Sequence, residues 1–152
     1  MKTNNKLDNS FGPAGSFAGR IVFVAAIILS CFYYSGALLV LIGGFVGFTC
    51  SSAIIDYDKK CVKFSNNLFG IIQTGNWIQI EPGMTIGIKK LNQTFTAYSQ
   101  GNRSLDVPES DFRIILFDGD GKEIMPLKKT NSLDTARAER DTIGNSLGLK
   151  II

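Results

Sequence analysis

The sequence predicts an α+β membrane protein in which an N-terminal transmembrane helical hairpin precedes a β-rich domain that ends in one helix. Residues 21–55 contain no charged side chain, which is typical of a membrane segment. The following residues alternate apolar and polar side chains between turn residues, which indicates half-buried strands. We therefore divide the chain into a polar N-terminal tail at 1–15, a two-helix hairpin at 16–55 and a β-rich domain at 56–152.

The uncharged run is too long for one membrane helix and about right for two short ones. A helix needs roughly 20 apolar residues to cross about 30 Å of hydrocarbon. The pair Ser35-Gly36 interrupts the run, so we predict helices at 16–34 and 37–54. Because both helices are short, a monotopic re-entrant hairpin that never reaches the far leaflet is the alternative.

Basic residues flank the run on both sides, and none lies at its predicted tip. Lys2 and Lys6 precede the uncharged run. Because both flanks are basic, the positive-inside rule places both termini in the cytoplasm. We therefore expect the chain in the inner membrane. The unpaired Cys61 suits that compartment. The residues that we expect at the membrane surface are Arg20, Lys59, Lys60 and Lys63.

Two glycines stand four residues apart in the second predicted helix. Gly43 and Gly47 form a small-xxx-small surface on which another helix backbone can pack closely. The partner is either the first helix of the same hairpin or a helix from another chain, which leaves a homo-oligomer open.

The β-rich domain is predicted to contain seven antiparallel strands and a C-terminal helix at 132–148. Asn131 or Ser132 begins this helix and Gly148 ends it. The motif Asp118-Gly-Asp-Gly lies between two of the strands and is interpreted as a hairpin turn, because it lacks the later ligands of a calcium loop. The predicted strands are 53–57, 61–65, 76–81, 84–91, 94–99, 112–117 and 123–127.

The stretches IDYDKKCVKF, LFGIIQTGNWIQI and AYSQGNRS resemble small bacterial membrane proteins in which a two-span hairpin precedes a pleckstrin-homology-like domain. The resemblance implies a bent half-barrel plugged by the C-terminal helix, and it implies no activity. The chain departs from eukaryotic domains of this class because Trp77 lies in a strand and a tight turn at 58–60 replaces their basic loop. Phosphoinositide recognition is therefore not implied.

A predicted loop at 98–110 begins with a concentrated polar stretch, residues 98–104. This stretch also contains an aromatic ring and a cation. Its candidate ligand or partner residues are Tyr98, Asn102 and Arg103, since a guanidinium can pair with a carboxylate or a phosphate. The alternative is a solvated loop in which Arg103 pairs with Asp106.

Composition favours a non-enzymatic protein. The chain contains no histidine, its three cysteines lack metal-binding spacing, and its net charge of +3 gives no nucleic-acid footprint. We expect no catalytic residue, no cofactor and no metal. The expected partners are the lipid bilayer and a protein of unknown identity, which makes the chain an interaction or scaffold module. The alternative is an accessory subunit of a larger inner-membrane complex, docked through the hairpin.

Overall fold

The structure, a computed structural model, describes residues 1–98 and 104–152, with side chains for 1–92 and 111–152. It confirms the α+β class. The described elements, in chain order, are β1 (Lys2–Asn9), α1 (Gly12–Ser30), α2 (Gly36–Phe48), β2 (Cys50–Asp56), β3 (Cys61–Leu68), β4 (Ile72–Gln73), β5 (Trp77–Gln79), β6 (Thr85–Tyr98), β7 (Ser104–Phe117), β8 (Glu123–Thr130), α3 (Leu133–Leu147) and β9 (Lys150–Ile151).

The chain divides into two compact units, and each is described by itself. The helical unit contains both N-terminal helices, and the sheet unit contains most of the strands and α3. The unit boundaries fall inside β1, β2 and β3. The helical unit consists of Asp8–Ser52 and Ser65–Gly75, and the sheet unit consists of Met1–Leu7, Ala53–Phe64 and Asn76–Ile152.

Two sheets and one helix supply the core of the sheet unit. One sheet has the order β1-β2-β3-β4, with β5 also paired to β3, and the other has the order β8-β7-β6-β9. The side-chain amide of Asn5 on β1 donates to the carbonyl of Leu127 on β8 at 3.1 Å. The buried side chains that meet in this core include Ile55, Val62, Ile86, Ile114, Leu116, Leu127, Ile143 and Leu147.

The C-terminal helix begins and ends where the sequence predicts, with α3 at Leu133–Leu147. Ala136, Ile143 and Leu147 are buried on one face. Gly144 weakens the helix locally, but it allows close packing, because a methyl group at that position would lie 3.1 Å from Ile151 and 3.2 Å from Ile86.

The N-terminal segment that we predicted to be a polar tail contains a strand. Just before β1, the carbonyl of Met1 accepts a hydrogen bond from the Tyr57 amide at 3.1 Å, and the Leu7 side chain of β1 is buried in the core. The sequence of β1 is mostly polar and lacks β-branched residues other than Thr3, so its local pattern does not indicate a strand. Its pairing with β2 outweighs the weak local preference.

The second predicted helix was wrong in its C-terminal part. We predicted a helix to residue 54, whereas α2 ends at Phe48 and Cys50–Asp56 forms β2. Thr49 already has extended backbone angles, with ψ of 125°. The apolar residues that follow it pack into the sheet core, where Ala53 and Ile55 are buried.

In the described residues, the predicted strands 84–91 and 94–99 correspond to one strand, β6 (Thr85–Tyr98), and the turn expected between them at Asn92-Gln93 was wrong; residue 99 lies outside the described residues. β6 pairs with β7 in one unbroken antiparallel register from Thr85↔Phe117 to Tyr98↔Ser104. This register also places residues 104–110 in β7, so the predicted loop at 98–110 was wrong for those residues. Continuous cross-strand pairing overrides the turn preference of an isolated Asn-Gln pair.

The turn at the end of α3 gives the first testable prediction. Gly148 has a positive φ of 74°, and its amide donates to the carbonyl of Gly144. We expect Gly148→Ala to lower the free energy of unfolding by about 1 kcal/mol, because a side chain is strained in the left-handed region. Chemical unfolding of the full chain in detergent measures this change.

Gly119→Ala is the matched control. Gly119 has no positive φ, and the nearest atom to an added methyl group is 3.9 Å away. We expect this variant to stay within about 0.5 kcal/mol of the original chain. Equal destabilisation by both substitutions would contradict the role that we assign to the Gly148 conformation.

Candidate functional site

Glycines hold α1 and α2 together as a tight antiparallel pair within the helical unit. A methyl group on Gly43 would lie 2.6 Å from the backbone nitrogen of Phe23, and one on Gly47 would lie 2.9 Å from that of Arg20. At the other end of the pair, a methyl group on Gly36 would lie 2.5 Å from the nitrogen of Ser30. The predicted small-residue surface therefore contacts the first helix of the same chain.

The outward sides of this helix pair are apolar and exposed. By length and composition, α1 is the one helix in the described part of the chain that could cross a membrane, and 17% of its apolar window is buried. α2 contains no charged residue, is more apolar than α1 and has 13 residues. The exposed large apolar side chains on the two helices include Phe17, Ile21, Val24, Ile28, Leu38, Leu41 and Ile42.

Arg20 lies on α1 at the level of the last turn of α2. Its Nε donates to the carbonyl of Gly47 at 3.3 Å, and its guanidinium carbon lies 6.0 Å from the ring centre of Phe48. The side chain thus contacts a free C-terminal carbonyl of α2, where a positive charge is favourable. Among the charged residues, Arg20 alone lies on either apolar helix.

The three predicted membrane-surface lysines occupy two kinds of position in the sheet unit. Lys59 and Lys60 are exposed in the turn between β2 and β3. Lys63 lies on β3, and its Nζ is 5.9 Å from the ring centre of Trp77. The Nζ of Lys2 is 5.5 Å from the same ring, which is 45% exposed. The exposed ring of Trp77 therefore lies between two cations. The sequence did not indicate the contact with Lys2, because Lys2 is distant from Trp77 in the chain.

A buried ion cluster lies on β7 and β8. The Nε of Arg113 donates to Oδ2 of Asp111 at 2.7 Å, and the Nζ of Lys129 lies 3.7 Å from the same oxygen. Asp111 is 1% exposed and Arg113 is 8% exposed. Arg113 and Lys129 are register partners, so the carboxylate joins charges on neighbouring strands. The Asp111 carboxylate thus contacts two cations, and these contacts support the pairing of β7 with β8.

The predicted polar candidates fall at the limit of the described residues. Asn102 and Arg103 lie outside them. Tyr98 is the last residue of β6, and its backbone alone is described, opposite Ser104. In the described part of the chain, no group of three or more Cys, Asp or Glu side chains could hold a metal ion.

No family model, curated protein or solved structure matches this chain.

The tight helix contact gives a testable prediction. We expect Gly43→Ala to destabilise the helix pair by about 1–3 kcal/mol, because the added methyl group would meet backbone atoms that cannot move aside. Thermal unfolding of the full chain in detergent, followed by far-ultraviolet circular dichroism, measures the loss.

Gly44→Ala is the matched control, one residue away on the same helix. A methyl group there would meet the flexible ring of Phe23 at 3.4 Å, which is ordinary contact. We expect the control to unfold like the original chain. If the two variants unfolded alike, the close approach of α1 and α2 at Gly43 would be refuted.

Proposed function

We propose that this chain is a membrane-anchored, non-enzymatic interaction module that presents its sheet unit at the cytoplasmic face of the inner membrane. One observation carries the proposal: the helix pair exposes apolar side chains on its outward sides, while the sheet unit has its own buried core. An exposed apolar surface of this extent is unfavourable in water and favourable in lipid. The absence of histidine from the sequence supports a role other than acid-base catalysis.

The pairing of β1 with β2 supports an anchor whose two ends leave the membrane on one face. β1 directly precedes α1, β2 directly follows α2, and the two strands are neighbours in one sheet. The amide of Ser10 donates to the carbonyl of Thr49 at 3.2 Å, so the chain enters and leaves the hairpin side by side. Together with the flanking lysines and the three free cysteines, this favours both termini in the cytoplasm.

The length of α2 favours the re-entrant form of the anchor. Thirteen residues of helix extend about 20 Å, which is less than the roughly 30 Å of the hydrocarbon core. Arg20 contacts Gly47 near the start of the hairpin, and a guanidinium is most stable at headgroup level. With Arg20 at that level, we infer that the tip at Tyr33 and Tyr34 ends inside the bilayer, before the far interface.

A core shared by two sheets and α3 supports the proposed pleckstrin-homology-like architecture, while the element order differs from the expected one because β1 precedes the hairpin and β9 follows α3. Strands from two sheets share a core with one C-terminal helix, α3. In this chain the hairpin follows the first strand, so the domain is interrupted by its own anchor. The surface that we propose for a partner surrounds Trp77 on β5, a three-residue strand that pairs with β3, because the ring is exposed and two lysines lie against it.

We do not adopt the accessory-subunit alternative in its predicted form. It required Gly43 and Gly47 as the docking surface, but both glycines contact α1 of the same chain. The same contact leaves neither glycine available to form a homo-oligomer.

The proposed anchor predicts a specific loss of membrane binding. In the variant Ile21→Gln, Val24→Gln, Ile28→Gln, three exposed side chains of α1 become polar while its glycine contacts remain. We expect the original chain to stay in the membrane fraction after alkaline carbonate extraction and the variant to be released. The control is Leu133→Gln with Ile152→Gln, which changes exposed apolar side chains of the sheet unit. Retention of the triple variant, or equal release of the control, would contradict the proposal.

The re-entrant form predicts that the hairpin tip is protected from outside the cell. Cys31 is exposed and lies next to the tip, and Ser35→Cys adds a second reporter. We expect a membrane-impermeant maleimide to label neither position in intact cells and to label both after solubilisation. Lys122→Cys, in the turn between β7 and β8, should be labelled only after lysis. Labelling of position 35 in intact cells would show that the hairpin crosses the bilayer.

A further inference from the structure

The turn between β3 and β4 is apolar and exposed. This apolar turn consists of residues 69–72, Phe69-Gly70-Ile71-Ile72. Ile71 is 82% exposed and Ile72 is 57% exposed, which is unusual for two adjacent isoleucines. No charged residue occurs between Lys63 and Glu81, so the turn lies at the centre of a second uncharged segment.

The backbone of the apolar turn does not account for its residue types. Phe69 and Gly70 both have positive φ, of 55° and 71°, and Leu68 pairs with Ile72 across the hairpin. Such tight turns favour Asn, Asp or Gly at the left-handed positions, and a bulky aromatic residue there is strained. An interaction of the side chains must offset this cost.

Contacts within the helical unit join the apolar turn to α2. The rings of Phe69 and Phe45 meet edge to face with centroids 5.6 Å apart. The Phe69 amide donates to Oγ1 of Thr49 at 3.4 Å, and a methyl group on Gly70 would lie 3.4 Å from the carbonyl oxygen of Phe48. Phe45 and Phe48 are themselves exposed. The apolar turn therefore continues the exposed apolar surface of the helix pair beyond Phe45 and Phe48.

We propose that the apolar turn is a third membrane-contacting segment, which inserts into the same leaflet as α1 and α2 with Ile71 and Ile72 in the acyl region. This proposal rests on the anchoring role proposed above. Lipid is the occupant that the structure favours, because the turn is continuous with the exposed apolar surface of the helices and its insertion buries no charge.

The position of the turn along α2 implies shallow insertion. Phe45 and Phe48 belong to the last turn of α2, next to Gly47, which accepts the hydrogen bond from Arg20. A guanidinium lies at the headgroup level of a bilayer. The apolar turn should therefore enter near the boundary between headgroups and acyl chains, at less depth than the middle of α1.

Spin-label accessibility on the full chain tests this proposal. Cys31, Cys50 and Cys61 are replaced by Ala, and a single nitroxide is attached in three separate variants, Ile71→Cys, Ile28→Cys and Gln79→Cys. The chain is reconstituted into vesicles of phosphatidylethanolamine and phosphatidylglycerol. We expect collisions with a water-soluble nickel chelate to be several-fold fewer at 71 than at 79, and collisions with oxygen to be more frequent at 71. Position 28 should be the most protected from nickel.

The other possible results refute either the insertion of the apolar turn or the anchor itself. If position 71 meets nickel as often as position 79 while 28 is protected, the helices anchor the chain and the apolar turn does not insert. If 28 and 71 are both accessible to nickel, the anchor itself is refuted. Protection of 71 from both nickel and oxygen, or spin-spin broadening, would indicate that protein covers the turn. Ile72→Cys repeats the measurement at a second exposed position, should the label at 71 disturb the fold.

Discussion

The pairing of β1 with β2 is the constraint on which the other features depend. These strands are joined in sequence by the whole helical hairpin. The Tyr57 amide donates to the Met1 carbonyl and the Ser10 amide donates to the Thr49 carbonyl, so hydrogen bonds hold the strands together at both ends. Closing such a long connection costs conformational entropy. The hairpin offsets that cost because its two helices pack against each other and bring residues 10 and 49 together. The sheet and the helix pair thus stabilise the same closure.

Small residues make the helix pair possible, and their placement decides what the pair exposes. Backbones that approach this closely gain van der Waals packing, which is the main source of stability for a helix pair wherever its surroundings are as apolar as its own side chains. Gly19, Gly36, Gly43 and Gly47 supply that packing along the length of the contact. Because backbone occupies the interface, the large apolar side chains point outward, where they can meet lipid and the ring of Phe69.

The sequence predicts the features that neighbouring residues determine, and it misses the features that depend on contacts between residues distant in the chain. α3 was predicted from its apolar spacing and from Gly148, which adopts the expected left-handed conformation. β1 was missed because its polar sequence becomes a strand through pairing with residues more than 40 positions away. The turn expected at Asn92-Gln93 was overridden by the register of β6 with β7. In the candidate sites, the approach of Lys2 to Trp77 and the pairing of Asp111 with Arg113 and Lys129 likewise depend on tertiary contacts.

The insertion of the hairpin after the first strand imposes an order on biosynthesis. β1 leaves the ribosome before α1 and cannot pair until β2 has been translated, by which time both helices have emerged. Both helices are therefore synthesised before the sheet that contains β1 and β2 can be completed. Until then β1 has no partner strand, and its unpaired backbone groups are open to pairing with another chain. The connectivity thus makes completion of this sheet wait for synthesis of the whole hairpin.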